Sequence, residues 1–124
     1  MKVTGVDFAT VFVDDFEAAT GFYGGTLGLE RSAEYGKIDG CEFETGNLTL
    51  QVMHAEAIGR EFNPSEHPIA LHVDDVQAAR AELEAKGVQF LADTIDSGVC
   101  HMAIFSDPAG NTLMLHNRYA PKPG

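Results

Sequence analysis

Imidazole side chains are the main candidates for acid–base and metal chemistry in this sequence. The histidines near apolar, alternating segments are His54, His72, His101 and His116. An imidazole titrates nearest to neutral pH and binds metals through either ring nitrogen. His72 or His116 is therefore a candidate proton carrier, and a subset of these histidines is a candidate metal site.

The spacing of these histidines does not define a metal site, because it gives no tetrahedral or facial set of ligands. We interpret them instead as hydrogen-bonded polar groups that line or rim a pocket, with no metal or other cofactor. Cys100 precedes His101, but neighbours on a strand point to opposite faces, which argues against a thiol activated by that imidazole. Cys41 and Cys100 lack CxxC spacing, so we expect reduced thiols in the cytoplasm.

The charge and hydropathy of the chain exclude several classes of function. Its 124 residues include 19 acidic and 8 basic side chains, for a formal net charge of -11. Such a surface repels phosphate backbones, so we expect no nucleic-acid binding, and the charge serves solubility or attracts a cationic ligand. No apolar run approaches the ~20 residues that span a membrane, and the N-terminus is not typical of a secretory signal. We expect one cytoplasmic domain, residues 1–124.

The elements that must position these side chains are written twice in the sequence. The segment VDDFEAATGFYGGTLGL at 13–29 returns as VDDVQAARAELEAKGVQ at 73–89. The flanks match as well, since FATVFVDD aligns with PIALHVDD and a Gly-Asn pair follows in each copy. Each half therefore predicts a strand, a helix, two further strands, a turn and a last strand, with modules at about 5–54 and 67–117.

Both helices are predicted to begin at an aspartate, whose side chain can accept hydrogen bonds from first-turn amides. A glycine is predicted to end each helical segment, because glycine adopts a positive φ at little cost. The candidates are Asp14 or Asp15 and Asp74 or Asp75 at the starts, with Gly28 and Gly87 at the ends.

Strand parity predicts two different faces for each sheet, because side chains alternate across a strand. One face is aliphatic and suits packing under a helix. The other mixes aromatic, sulfur, amide, hydroxyl and imidazole groups, which is typical of an apolar pocket with a few orienting polar groups. The predicted ligand-binding residues of this face are Phe8, Thr10, Phe12, Gln51, Met53, His72, Met114 and His116, and Phe105 is predicted as a further ring that stacks on the ligand.

The sequence resembles the vicinal oxygen chelate superfamily, which groups glyoxalases, extradiol dioxygenases and bleomycin resistance proteins. The segments that carry the resemblance are VDDFEAATGFYGGTLGLE, HPIALHVDDVQAARAELEAKGV and FSDPAGNTLMLH, within about residues 6–116. The resemblance implies an α+β fold of two βαβββ modules whose mixed sheets curl around a cleft. Each copy of the repeat would then supply one wall.

Metal enzymes of that superfamily take ligands from matching positions in both modules. The resemblance assigns these positions to Phe8, Pro68, Met114 and either Thr49 or Gln51. Phenylalanine and proline have no donor atom, and methionine is a poor ligand for hard or borderline divalent ions. Only Gln51 remains as a weak ligand, so the sequence predicts no metal.

The resemblance, together with these departures, predicts a metal-free small-molecule binding protein similar to the antibiotic-sequestering members of the superfamily. The expected ligand is planar and either neutral or cationic. The expected assembly is a homodimer that completes the clefts. The alternative is a lyase, isomerase or dioxygenase that uses a relocated metal site or histidine acid–base chemistry.

Overall fold

The computed structural model describes residues 1–123, which fall into two compact units, Met1–Pro64 and the residues from Ser65 onward. We call these units module one and module two. Each contains an open, four-stranded mixed sheet. Within the described residues, no helix is both long enough and apolar enough to span a membrane.

Module one has the predicted order of one strand, one helix and three strands. Its strands are β1 (Phe8–Val13), β2 (Glu30–Glu34), β3 (Gly40–Glu44) and β4 (Thr49–His54). Helix α1 (Phe16–Thr20) continues into a π-helical segment, Gly21–Thr26, and a 3-10 helix, Ala55–Ile58, follows β4. The sheet order is β1-β4-β3-β2, with β1 parallel to β4 and the other pairs antiparallel.

An aspartate starts helix α1, and of the two candidates it is Asp15. Its carboxylate accepts a hydrogen bond of 3.0 Å from the amide of Ala18, which satisfies one of the otherwise unpaired first-turn donors. The predicted glycine stands at the far end, where Gly28 has a φ of 72°. A side chain would strain this backbone conformation.

One face of the module one sheet is aliphatic and buried, as its parity predicts. Val13, Leu50 and Val52 are fully buried. Tyr23 of the π-helical segment packs on Phe43 of β3, with 6.0 Å between the ring centroids. The helical segment therefore covers this face, and burial of its apolar side chains stabilises the module.

Module two repeats the order, with strands β5 (Ile69–His72), β6 (Ile95–Asp96), β7 (Cys100–Ser106) and β8 (Thr112–Arg118) and helix α2 (Val76–Ala85). The sheet order is β5-β8-β7-β6, with β5 parallel to β8. Asp75 starts α2 by accepting a 3.0 Å hydrogen bond from the amide of Ala78. The predicted α+β fold of two βαβββ modules is confirmed.

The DPAGN turn between β7 and β8 is a buried polar structure. Asp107 and Asn111 are 4% and 3% exposed. The backbone nitrogen and the side-chain nitrogen of Asn111 each donate a hydrogen bond of 2.9 Å to the Asp107 carboxylate. Asn111 Oδ1 in turn accepts from the amide of Ser65 at 2.8 Å. These bonds satisfy the buried polar groups, so this motif serves the fold by anchoring the start of module two to its hairpin.

Candidate ligand-binding site

The sheet of module one carries three rows of side chains on the side opposite its buried aliphatic face. We call this side the polar face of module one. Strand spacing places neighbours in a row about 4.8 Å apart and successive rows about 7 Å apart. The rows are Phe8, Thr49, Glu44 and Glu30; then Thr10, Gln51, Glu42 and Ala33; then Phe12, Met53 and Gly40.

A chain of hydrogen bonds crosses the middle row. Thr10 Oγ1 donates to Gln51 Oε1 at 2.7 Å, and Gln51 Nε2 donates to the hydroxyl of Tyr35 at 3.2 Å. The hydroxyl of Tyr35 donates to a carboxylate oxygen of Glu42. Burial and, after it, this bond to Glu42 raise the pKa of Tyr35, so the phenol keeps its proton at neutral pH.

The row that contains Phe8 is organised around Glu44. Its two carboxylate oxygens accept hydrogen bonds from Ser32 Oγ at 2.6 Å and Thr49 Oγ1 at 2.7 Å. These two bonds, that of Ser32 first, lower the pKa of Glu44. Glu44 is therefore an anion at neutral pH, held by two hydroxyl groups that point their protons at it.

The two phenylalanines of the polar face have different surroundings. Phe8 is 48% exposed, so about half of its ring surface is open to solvent. Phe12 is half-buried, and the guanidinium carbon of Arg60 lies 4.6 Å from its ring centroid. That distance is typical of a cation–π contact.

The absence of a side chain at Gly40 allows Met53 and Tyr35 to pack over β3. A Cβ atom at this position would lie 2.5 Å from Met53 Sδ and 2.6 Å from Tyr35 Cδ2. Both side chains therefore use the space that a larger residue would fill. Tyr35 reaches Gln51 and Glu42 from beyond the end of β2 because of this space.

The corresponding side of the module two sheet is more apolar, and we call it the methionine face of module two. It carries the side chains of Ala70, His72, Met102, Ile104, Ser106, Thr112, Met114 and His116. His72 and His116 are register partners on neighbouring parallel strands. His72 Nε2 lies 3.3 Å from a carboxylate oxygen of Asp74, and the His72 side chain is 70% exposed.

Phe105 lies on neither of these faces. Strand β7 pairs Phe105 with Leu113, whereas Ile104 pairs with Met114, so the Phe105 side chain points to the aliphatic side. It is fully buried, and its ring centroid lies 5.2 Å from that of Phe90. The other predicted ligand-binding residues divide between the two faces: Phe8, Thr10, Phe12, Gln51 and Met53 in module one, and His72, Met114 and His116 in module two.

The family model that matches this chain is that of the Glyoxalase/Bleomycin resistance protein/Dioxygenase superfamily, over residues 5–115. The chain belongs to this superfamily. The resemblance inferred from the sequence is thereby confirmed. No curated protein matches the chain.

Several solved structures share the fold. TnmS3, an antibiotic binding protein from Streptomyces sp. CB03234, is 24% identical with a TM-score of 0.80, over 95% of this chain and 98% of its own. A superfamily member from Sphaerobacter thermophilus DSM 20745 is 24% identical with a TM-score of 0.80, over 92% and 97%. Lactoylglutathione lyase from Agrobacterium tumefaciens is 19% identical with a TM-score of 0.77, over 93% and 94%.

The side chains at the superfamily's metal positions do not fit a metal ion in this chain. Phe8 lies opposite Thr49, and Met114 lies opposite Ala70, so neither pair offers a donor set for a hard or borderline divalent ion. Pro68 precedes β5 and has no donor atom. Among residues 1–123, no group of three or more His, Cys, Asp or Glu side chains is arranged to hold a metal.

His54 and His101 lie on the other side of their sheets, each near a carboxylate. His54 Nδ1 lies 3.5 Å from a carboxylate oxygen of Asp39. His101 Nε2 lies 3.4 Å from Asp96, and its ring stacks on Tyr119 with 4.8 Å between centroids. A backbone amide and then the Tyr119 hydroxyl lower the pKa of Asp96. Cys41 is fully buried, and burial raises the pKa of its thiol.

Sequence reasoning missed five residues that make side-chain contacts on the polar face: Ser32, Tyr35, Glu42, Glu44 and Arg60. The segment GCEFE does alternate, so its parity alone would have placed Glu42 and Glu44 opposite the buried Phe43. No comparable signal exists for Tyr35 and Arg60, because both lie outside the strands. They reach the polar face from irregular backbone, for which periodicity makes no prediction.

Proposed function

We propose that this protein is a metal-free small-molecule binding protein of its superfamily. The observation that carries the proposal is Phe8, a 48% exposed ring at a position where metal enzymes of the superfamily take a ligand. A ring at that position replaces a metal–ligand bond by a broad apolar contact. The fixed hydrogen-bonding groups beside it supply orientation, as in other small-molecule sites.

The ligand that suits this surface is planar and either uncharged or cationic. Phe8 and Phe12 offer flat, polarizable contact at little conformational cost. The net charge of -11 favours the approach of a cation at low ionic strength. Sequestration of a drug or antibiotic in the cytoplasm, without turnover, is the corresponding role, and TnmS3 is by its name an antibiotic binding protein of this fold.

Three probes with one planar skeleton test this proposal: naphthalene-2-carboxamide, naphthalene-2-carboxamidine and naphthalene-2-carboxylate. Calorimetry should show reversible binding of the amide or the amidine, with the probe recovered unchanged. Phe8→Ala should weaken that binding, whereas Leu91→Ala, which truncates a 63% exposed side chain in module two, should not. Absence of binding by all three probes at millimolar concentration would refute the proposed function.

We further propose that the protein is a homodimer. The outer strands β1 and β2 of one sheet and β5 and β6 of the other are edges of the kind that proteins cover or pair, and the superfamily resemblance implies paired chains. Light scattering at micromolar concentration should give twice the chain mass of 13.3 kDa. A monomer mass would contradict this part.

One observation favours an enzyme as the second candidate. His72 and His116 are register partners, so two imidazoles lie side by side on the methionine face and could move a proton or rebuild a two-histidine metal site. A lyase, isomerase or dioxygenase would then be the function. Conversion of a bound ligand at a rate that His72→Ala and His116→Ala both abolish would decide for this candidate.

A further inference from the structure

The hydrogen bonds of the polar face all run in one direction, and Glu42 sets that direction. An ionised carboxylate only accepts, so the hydroxyl of Tyr35 must donate to Glu42. The oxygen of Tyr35 is then left as an acceptor, which turns the amide nitrogen of Gln51 toward it. The amide oxygen of Gln51 consequently faces Thr10 and accepts a hydrogen bond from its hydroxyl group.

A second set of bonds has the same polarity. Ser32 and Thr49 both donate their hydroxyl protons to Glu44. Among the described residues, the hydroxyl groups of this face thus direct their protons to partners within the chain. The hydroxyl groups can therefore offer a ligand only their oxygen lone pairs as acceptors. The face also offers the second carboxylate oxygen of Glu42 as an acceptor and one remaining amide hydrogen of Gln51 as a donor.

The aromatic part of the face already holds a cation from the chain itself. Arg60 places its guanidinium 4.6 Å from the ring centroid of Phe12, as a cationic ligand would on a ring of this face. Phe8 stands about 13 Å along β1 from Phe12, at the row of Glu44. Glu42 lies in the middle row, one row from each ring, and of the two rings Phe8 is the more exposed, at 48%.

We propose that the polar face selects ligands that join a planar ring to a cationic hydrogen-bond donor, such as an amine, amidine or guanidine, and that it rejects carboxylates. The ring contacts Phe8 or displaces Arg60 from Phe12, and the donor group faces Glu42. This selectivity rests on the proposed binding function and names its ligand class. Tyr35 and Gln51 are positioning residues, because they hold the acceptors in place.

The three naphthalene probes separate this selectivity from the binding function. The amidine should bind at least about tenfold more tightly than the carboxylate, as expected for a charge-assisted hydrogen bond, with the neutral amide between them. Glu42→Gln should reduce the amidine-to-carboxylate ratio at least about threefold and leave the amide affinity within about twofold. Glu84→Gln, the same charge change on α2, should leave the ratio unchanged.

Two further variants keep the test sharp if Glu42→Gln alters the fold. Tyr35→Phe removes the hydroxyl that links Gln51 to Glu42 and changes no charge. It should also reduce the amidine-to-carboxylate ratio, because the Gln51 amide can then turn. Arg60→Ala should strengthen amidine binding, because the guanidinium no longer competes with the ligand for the ring of Phe12. Equal affinities for all three probes, or a ratio insensitive to both Glu42→Gln and Tyr35→Phe, would overturn the selectivity while leaving the binding function intact; no binding by any probe would overturn both.

Discussion

The polar face of module one and the methionine face of module two occupy equivalent positions in a repeated frame, yet their side chains differ in kind. Where module one pairs Thr10 with Gln51, module two pairs Ala70 with Met114. Beside these pairs stand Glu42 in one module and Ile104 in the other. At these positions the polar face carries hydrogen-bonding side chains, whereas the methionine face carries apolar ones.

The two modules share the residues that stabilise the fold and differ in the residues on the opposite sides of their sheets. Asp15 and Asp75 both cap their helices, and the buried sides of both sheets are aliphatic. Helix capping and burial of apolar side chains therefore stabilise both modules. The residues on the opposite sides carry no such constraint, and they are where the modules diverge.

The largest expected effect distinguishes the buried ring of Phe105 from the exposed ring of Phe8. Phe105→Ala should lower the free energy of unfolding by about 3–5 kcal/mol, because it empties a fully buried site. Phe8→Ala should change it little. Urea denaturation of both variants measures this contrast, and a Phe105→Ala protein of unchanged stability and weakened ligand binding would return Phe105 to the site.

Gly40→Ala should have the next largest effect, confined to module one. The new Cβ would lie 2.5 Å from Met53 Sδ and 2.6 Å from Tyr35 Cδ2, so one side chain must move, at a cost of about 1–3 kcal/mol in unfolding free energy. Gly21→Ala is the matched control, since nothing lies within 4 Å of its Cβ position and its φ is -63°. Equal stability of the two variants would show that Tyr35 and Met53 are not held as described.

The alternating strands were predictable from the sequence, and the cross-strand partners were not. Parity placed Thr10 and Gln51 on the same kind of face because each lies in a strand with buried aliphatic neighbours. The approach of Tyr35 to Glu42 depends on register, on an irregularity in β2 between Arg31 and Ala33, and on the small size of Gly40. These are tertiary properties, and sequence periodicity carries no information about them.

Phe12→Ala should weaken binding of the naphthalene amidine by about 1 kcal/mol, the cost of losing one stacked ring. The effect on affinity is limited because Arg60 already contacts this ring in the free protein. Calorimetry on Phe12→Ala and on the Leu91→Ala control measures it. Unchanged affinity in both Phe8→Ala and Phe12→Ala would remove the polar face of module one from the proposed site.

The smallest expected effect is on acid stability. The pKa of Glu44 is lower in the folded protein than its ordinary value of 4.5, so the ionised group stabilises the fold above that value and loses this contribution as the pH falls below it. Unfolding followed between pH 7 and pH 3 should therefore show a shallower loss of stability in Glu44→Gln than in the wild type. Parallel curves would contradict the hydrogen bonds of Ser32 and Thr49 to this carboxylate.

The most direct test of the central claim is ligand binding before and after removal of metal ions. Protein purified without a histidine tag is measured by elemental analysis and titrated with the naphthalene amidine, then dialysed against a chelator and titrated again. We expect a transition-metal content far below one ion per chain and the same dissociation constant in both titrations. A stoichiometric metal, with affinity lost on chelation and restored by that metal, would contradict it.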